Sequence, residues 1–389
     1  MKHWITIRPE VYMLIQEYQY ILINTCTGQY IQGEDEQIAS LLKKIKNNGY
    51  KFGVNENDFT IYRDFLLKMK SLYMADYITE ENARWAVQSY PINILEKKIS
   101  DLGKMDEDIM SFLHEVNIYL DLGCQQHCKR CQTDFKQSLC CTKLANPLKT
   151  DDLIKFFISS HILPSTKINI IVCGSHNHAD FHKFYSTICQ YHKIESIYIH
   201  SSNISIDSSL LDCNYKIIVT SPEMFKPTYN NSDRVEYICL ATDISAVDSY
   251  ETTADQCNIS NYTILPIYTG SNIGFFKKYV FINIDKLFER KLNIKYLMRN
   301  EIVNSQLFGT FNIFSDGTIY ASVNDKPIGH IIKDKLRDLV HKEISIGTSW
   351  LKTRKHHQIC KKCRYISVCP SISDIELFMS HRICNKGNE

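Results

Sequence analysis

Between residues 116 and 270, short apolar runs alternate with amphipathic segments, and this order constrains the fold more than any other feature of the chain. The runs NIYLDL (117–122), INIIVCG (168–174), SIYIHSS (196–202), YKIIVTS (215–221), VEYICLAT (235–242) and YTILPIYTG (262–270) are rich in Ile, Val and Tyr. Each is short enough to be a buried strand. Between them, TDDLIKFFISSHI (150–162) and DFHKFYSTICQYH (180–192) space their apolar residues as helices do, the first with Thr150 as its expected N-cap. Strand and helix in succession predict an α/β fold with a mostly parallel sheet, either open or a partial barrel. Ligands of such sheets collect at the carboxyl edges of the strands.

The flanks read differently. Residues 1–80 predict a small α+β unit: alternating residues around turns at Gln16–Glu17 and Thr27–Gly28, then Ile38, Leu41, Leu42 and Ile45 at helical spacing with Gly49 as a stop. A second helix is expected through NDFTIYRDFLLKMKSLYM (57–74). Near the other end, Asp316–Gly317 between two alternating runs is a hairpin signal. IKDKLRDLVHKEI (332–344) predicts a short helix, and the last forty or so residues show little periodicity. The expected units are therefore 1–80, 110–300 and 301–389.

Fifteen cysteines in 389 residues are many. The opening MKHWITIRPEVYMLI is broken by Arg8, Pro9 and Glu10 and does not read as a secretory segment, and no apolar run reaches membrane-spanning length. A net charge of +2 with interspersed signs gives no basic stripe for nucleic acid. The expectation is a cytoplasmic protein, where clustered thiols point to metal rather than to a disulfide framework.

Two clusters stand out. Cys124, Cys128 and Cys131 form C-x3-C-x2-C in the loop after the first strand of the series, at the ligand edge of the sheet. Three thiolates suit a [4Fe–4S] cluster with one open iron; zinc prefers four ligands, and His127, beside Cys128, closes awkwardly on one tetrahedral ion. Cys360, Cys363, Cys369 and Cys384 form C-x2-C-x5-C-P with a later fourth cysteine. Four thiols suit one fully ligated cluster or a structural zinc knuckle.

The order and separation of these two groups resemble the radical S-adenosylmethionine (radical SAM) peptide maturases that carry a C-terminal SPASM domain. MKHWITIRPEVYMLI, NTCTGQYIQ, ILPIYTGSNIGFF and SWLKTR…CKKCRY…CPSISDIEL are similar to the pseudo-radical-SAM proteins of bacterial peptide-modification cassettes. The resemblance implies a partial (β/α) barrel, a small N-terminal unit that either takes a precursor's leader by strand addition or serves as a plain capping domain, and an irregular C-terminal domain with an auxiliary cluster. It implies one or two [4Fe–4S] clusters and a site for S-adenosylmethionine touching Gly174, Ser175, Ser201 and Asn203. The implied partners are a precursor peptide and a catalytic radical SAM maturase.

The chain departs from the family pattern where the cofactor would be held. Arg130 stands where an aromatic residue usually packs by the adenine, and Cys173-Gly174-Ser175 replaces Gly-Gly-Glu. A serine cannot supply a carboxylate's charge-assisted hydrogen bond to the SAM amino group. Ser322 also occupies the place of a cysteine that usually follows the hairpin. The implied role is an accessory to a catalytic maturase; the alternatives are an active SAM-cleaving enzyme and a zinc-stabilised interaction protein.

Overall fold

Strands β1 (His3–Ile7), β2 (Val11–Gln16), β3 (Gln19–Asn24) and β4 (Tyr30–Glu34) precede helix α1 (Glu36–Asn47), β5 (Lys51–Val54), helix α2 (Glu56–Ser71), β6 (Ala75–Ile78) and the short α3 (Glu80–Trp85). The computed structural model describes residues 3–85, 109–120, 135–139, 148–173, 178–203, 213–225, 233–347, 349–379 and 383–384. Cys124, Cys128, Cys131, Gly174 and Ser175 lie outside these residues.

The N-terminal strands make two antiparallel sheets, β5-β1-β6 and β2-β3-β4. Asp35 caps α1 by accepting from the Ile38 N–H, and the helix buries Ala39, Leu41, Leu42 and Ile45. That face packs on Val11, Met13, Tyr20 and Leu22. Because side chains alternate along a strand, Tyr12, Leu14, Ile21 and Ile23 point the other way, into a second cluster with Leu287, Leu297, Ile366 and Val368. Strands β2 and β3 are thus buried on both faces, while β4 is largely exposed.

The central elements are β7 (Glu115–Tyr119), α4 (Thr150–Ser159), β8 (Lys167–Val172), α5 (His178–Ile188), β9 (Ile194–His200), β10 (Asn214–Val219), β11 (Val235–Ala241), α6 (Ile244–Gln256) and β12 (Tyr262–Pro266). They are followed by α7 (Ile273–Tyr279), α8 (Ile294–Ile302), β13 (Thr310–Ile313), β14 (Thr318–Tyr320), β15 (Gly329–His330), α9 (Leu336–Ser345) and α10 (Asp374–Met379). One nine-stranded sheet runs β12-β11-β10-β9-β8-β7-β13-β14-β15. All pairings from β12 to β13 are parallel; β14 and β15 are antiparallel additions. The molecule is therefore mixed α/β with a large parallel sheet.

Alternation divides this sheet into two unlike faces. Val116, Ile118, Ile168, Ile170, Ile197, Ile199, Ile217 and Val219 pack against Phe156 and Phe157 of α4, Phe184 of α5 and Tyr250 of α6. The opposite parity carries Tyr119, Ile171, Cys173, Ile218, Leu240 and Phe314. It also carries the buried polar residues Asn117, Asn169, Ser196 and Asn312. The expected hairpin is present, with Gly317 at φ +84°. Thr150 is not the N-cap of α4: it is the first helical residue, and Lys149 holds the cap position in extended geometry without a side-chain bond. The chain is delivered in that conformation because the Leu148 N–H is tied to Ser315 O at 2.8 Å. Among the described residues no helix is long and apolar enough to cross a membrane.

Candidate functional site

Residues 353–369 wind through successive tight turns that bring thiols together without regular structure. A capping box between Thr353 and His356 starts the segment. The N–H groups of Cys360, Cys363 and Cys369 then donate to His357 O, Cys360 O and Tyr365 O at 2.8–3.0 Å. Asn300 of α8 holds the far end of the segment, donating to Ser367 O and Cys369 O at 3.0 and 2.9 Å. The fourth cysteine arrives separately: Ile282 N–H donates to Ile383 O at 3.0 Å, and a parallel bridge pairs Ile282 with Cys384.

Cys360, Cys363, Cys369 and Cys384 line one cavity of about 300 Å³. All four are free thiols. Burial pushes the Cys369 thiol up to about 12, with smaller contributions from its three cysteine neighbours and an opposing one from Arg354. Burial also raises Cys360, again against Arg354. Such thiols become thiolates only when a cation or cluster takes up their charge.

No group of three or more His, Cys, Asp or Glu side chains among the described residues is gathered tightly enough to hold a metal ion. One tetrahedral zinc would need its sulfurs about 3.8 Å apart. Four thiols lining one cavity are the donor set of a fully ligated cluster or of a structural zinc.

Arg354 closes one side of this cavity. It is 4% exposed, and its Nη1 and Nη2 donate to Glu376 Oε1 and Oε2, both at 2.9 Å. Its Nε donates to Pro370 O at 2.5 Å, and Nη1 also reaches Cys360 Sγ at 3.6 Å. Burial opposes the guanidinium's charge, but the Glu376 carboxylate overrides this and holds its pKa above the ordinary value.

Beyond that wall lies a cavity of about 650 Å³ over the sheet face that carries Asn117 and Asn312. Arg354, Glu376, Ile282 and Ile383 line both cavities. The floor of the larger one holds a polar row across three strands. Asn169 donates to Glu115 at 3.1 Å and to Asn117 at 2.9 Å, and Asn117 donates to Asn312 Oδ1 at 3.1 Å. Of this row Glu115, Asn117 and Asn312 face the cavity, with Gln306 and Thr310 beside them. The row continues along the same face as a Lys216–Glu236 ion pair that also accepts from Thr263 at 2.7 Å. Amide and carboxylate groups lining a cleft can bind and orient a polar, amide-bearing ligand.

Ser201 and Asn203 form a 3-10 turn at the carboxyl end of β9. The Ser201 hydroxyl is buried and donates to Met224 Sδ at 3.3 Å. His200 beside it is also buried; its Nδ1 accepts from the Ser202 N–H at 3.2 Å, and its Nε2 has no partner among the described residues. Sequence reading did not single out Arg354, Glu376, His200 or the asparagine row. Only the alternation of Asn117 and Asn169 with isoleucines in two strand candidates offered a signal.

No family model and no curated protein matches the chain. Among solved structures, Streptococcus suis SuiB bound to precursor peptide SuiA matches 97% of this chain and 98% of its own, at 14% identity and a TM-score of 0.47. SuiB bound to S-adenosylmethionine matches over 97% of both chains, at 14% identity and a TM-score of 0.45. Native anSMEcpe with bound AdoMet matches 66% of this chain and 88% of its own, at 13% identity and a TM-score of 0.42. Likeness at this distance leaves substrate and chemistry to be argued from the chain's own residues.

Proposed function

We propose that this chain is a cytoplasmic iron–sulfur protein of radical SAM/SPASM type that takes part in modifying a ribosomally made precursor peptide, as an accessory to a catalytic maturase. The observation that carries the reading is the convergence of Cys360, Cys363, Cys369 and Cys384 on one cavity that shares a wall with the polar cavity of the sheet. Residues 1–80 are the peptide-recognition unit, 110–300 the partial barrel and 301–389 the SPASM-like domain. The barrel reading is supported by the larger cavity, which touches β7 and β12 although four strands lie between them. In a flat sheet these would stand about 24 Å apart. All ten described cysteines are free thiols, in keeping with a reducing compartment.

In this reading Cys124, Cys128 and Cys131 hold one [4Fe–4S] cluster and Cys360, Cys363, Cys369 and Cys384 a second. A bound cluster supplies one-electron chemistry, and the protein supplies position and field. Glu115, Asn117 and Asn312 orient the peptide's amide groups over the sheet, while the wall of Ile282, Ile383 and the Arg354–Glu376 pair keeps the second cluster apart from it. Ser175 gives up a charge-assisted contact worth about 1.5–3 kcal/mol and Arg130 an aromatic one, which weakens the hold on S-adenosylmethionine and so favours the accessory role.

Iron, sulfide and zinc analysis of anaerobically reconstituted protein, followed by dithionite and S-adenosylmethionine, tests this. We expect about eight irons per chain, about four of them lost when Cys124, Cys128 and Cys131 are all replaced by Ala, and no 5′-deoxyadenosine. Release of 5′-deoxyadenosine by the wild type alone would make the chain an active SAM-cleaving enzyme. Zinc without iron would leave a structural metal protein.

A further inference from the structure

The Arg354–Glu376 pair joins the residue that opens the cysteine segment to the one that ends it, with Cys360, Cys363 and Cys369 between. Glu376 accepts from the Ser373 N–H at 3.0 Å as well, so the pair also fixes the start of α10. Burying two charges costs several kcal/mol per ion, and an apolar pair of similar volume commonly stabilises a fold as well or better. Packing alone therefore does not account for a charged pair at this place. What the guanidinium has that an apolar group lacks is a fixed N–H directed at Cys360 Sγ, with carboxylate and carbonyl partners preventing its rotation.

We infer that Arg354 is a positioning residue that raises the reduction potential of the group held by the four thiolates, through its charge and its N–H donation to Cys360. The inference rests on the reading that this cavity holds an iron–sulfur cluster. Hydrogen bonds to cluster sulfurs, net charge and solvent exposure set such potentials. One-electron reduction by dithionite makes the thiolate-bound cluster more negative, so a buried cation 3.6 Å from one sulfur stabilises the reduced form more than the oxidised form. Glu376 acts with the opposite sign: it anchors the guanidinium and partly cancels its field. Lysine would keep the charge but lose the planar fork that reaches carboxylate and sulfur together.

The opposed signs give a test that loosening of the fold does not imitate. The full-length chain with Cys124, Cys128 and Cys131 replaced by Ala is the parent, so that one cluster is titrated with dithionite and followed by electron paramagnetic resonance. Arg354→Gln is expected to shift the reduction equilibrium about tenfold towards the oxidised form, about 59 mV for one electron. Glu376→Gln is expected to shift it towards the reduced form, and Arg354→Lys to fall between parent and Arg354→Gln. Shifts in one common direction, or none, would overturn the inference while the parent's iron upheld the cluster reading. A parent without iron would overturn both. Should Arg354→Gln retain no iron, Glu376→Gln decides alone: a shift towards the reduced form supports the inference, and its absence sinks it.

Discussion

His200 shows what a single buried side chain does to the pH response. It ends β9, and burial lowers its pKa below the ordinary 6.5; burial acts the same way on His192. Folded, such a histidine resists a proton that it accepts unfolded, so stability rises with pH across the interval between the two values. The contribution is neutral above 6.5 and turns against the fold as pH drops below it. Urea midpoints should therefore fall between pH 7.5 and 5.5, and His200→Gln, whose side-chain carbonyl can still accept from Ser202, should flatten the fall. The most that one histidine can contribute is about 1.4 kcal/mol per pH unit. An unchanged slope in the variant would place the acid sensitivity elsewhere. At this scale Cys360, Cys363, Cys369 and Cys384 stood out by their spacing, and the fold brings them to one cavity. Arg354 and Glu376 did not stand out: they are 22 residues apart, and nothing in the sequence separates a buried charge from the chain's 43 acidic and 45 basic residues.

Elements were readable where burial leaves a pattern. The strands β8 to β11 announce themselves because their Ile, Val and Tyr residues are largely buried, and β12 is read from its similar run although it is only partly buried at the sheet edge. β1, β5 and β6 did not, since His3–Ile7, Lys51–Val54 and Ala75–Ile78 are short and owe their conformation to pairing with one another. The hairpin between β13 and β14 was legible through Gly317, and the structure adds why glycine is needed. Its φ is +84°, and a Cβ there would meet Leu148 Cδ1 at 2.5 Å and Ile331 Cγ1 at 2.9 Å. Gly317→Ala should destabilise the protein by about 1–3 kcal/mol, the scale of a non-glycine residue held in the left-handed region. Thermal and urea unfolding measure this, and a loss below about 0.5 kcal/mol, the usual range of surface substitutions, would mean that the turn can relax. The sequence held no sign that β13 would lie parallel beside β7, because a partner nearly two hundred residues away is chosen by the whole sheet.

At the scale of the molecule, the N-terminal unit is one wall of the cysteine site. Gln16, Glu17, Tyr18 and Gln19 of the β2–β3 turn line the four-cysteine cavity. Lys362 pairs with Glu17 at 2.7 Å, and Arg364 pairs with Glu34 at 2.9 Å. Deeper, buried Glu301 accepts from Tyr12 and, at 3.0 Å, from Ser367, and Lys355 pairs with its other oxygen at 3.0 Å. The exposed pairs are worth little, about 0–1 kcal/mol each. The apolar contacts of Tyr12, Leu14, Ile21 and Ile23 with Ile366 and Val368 matter more, since burying one such side chain is worth about 1.5–3 kcal/mol. A chain beginning at residue 81 would leave Ile366, Val368 and the carboxylate of Glu301 facing water. We expect such a chain, reconstituted anaerobically beside the full-length protein, to lose most of the iron of the Cys360 group and to aggregate. Separate addition of residues 1–80 should restore part of that iron, because the interface is assembled from side chains already held by the β2-β3-β4 sheet. If the truncated chain instead keeps its full iron content and its near-ultraviolet dichroism, the N-terminal unit is an attached module and not part of the site. A peptide bound to that unit would then have no structural route to the cysteines; with the coupled outcome, a strand added to the β2-β3-β4 sheet would act directly on the wall behind Glu17 and Tyr18.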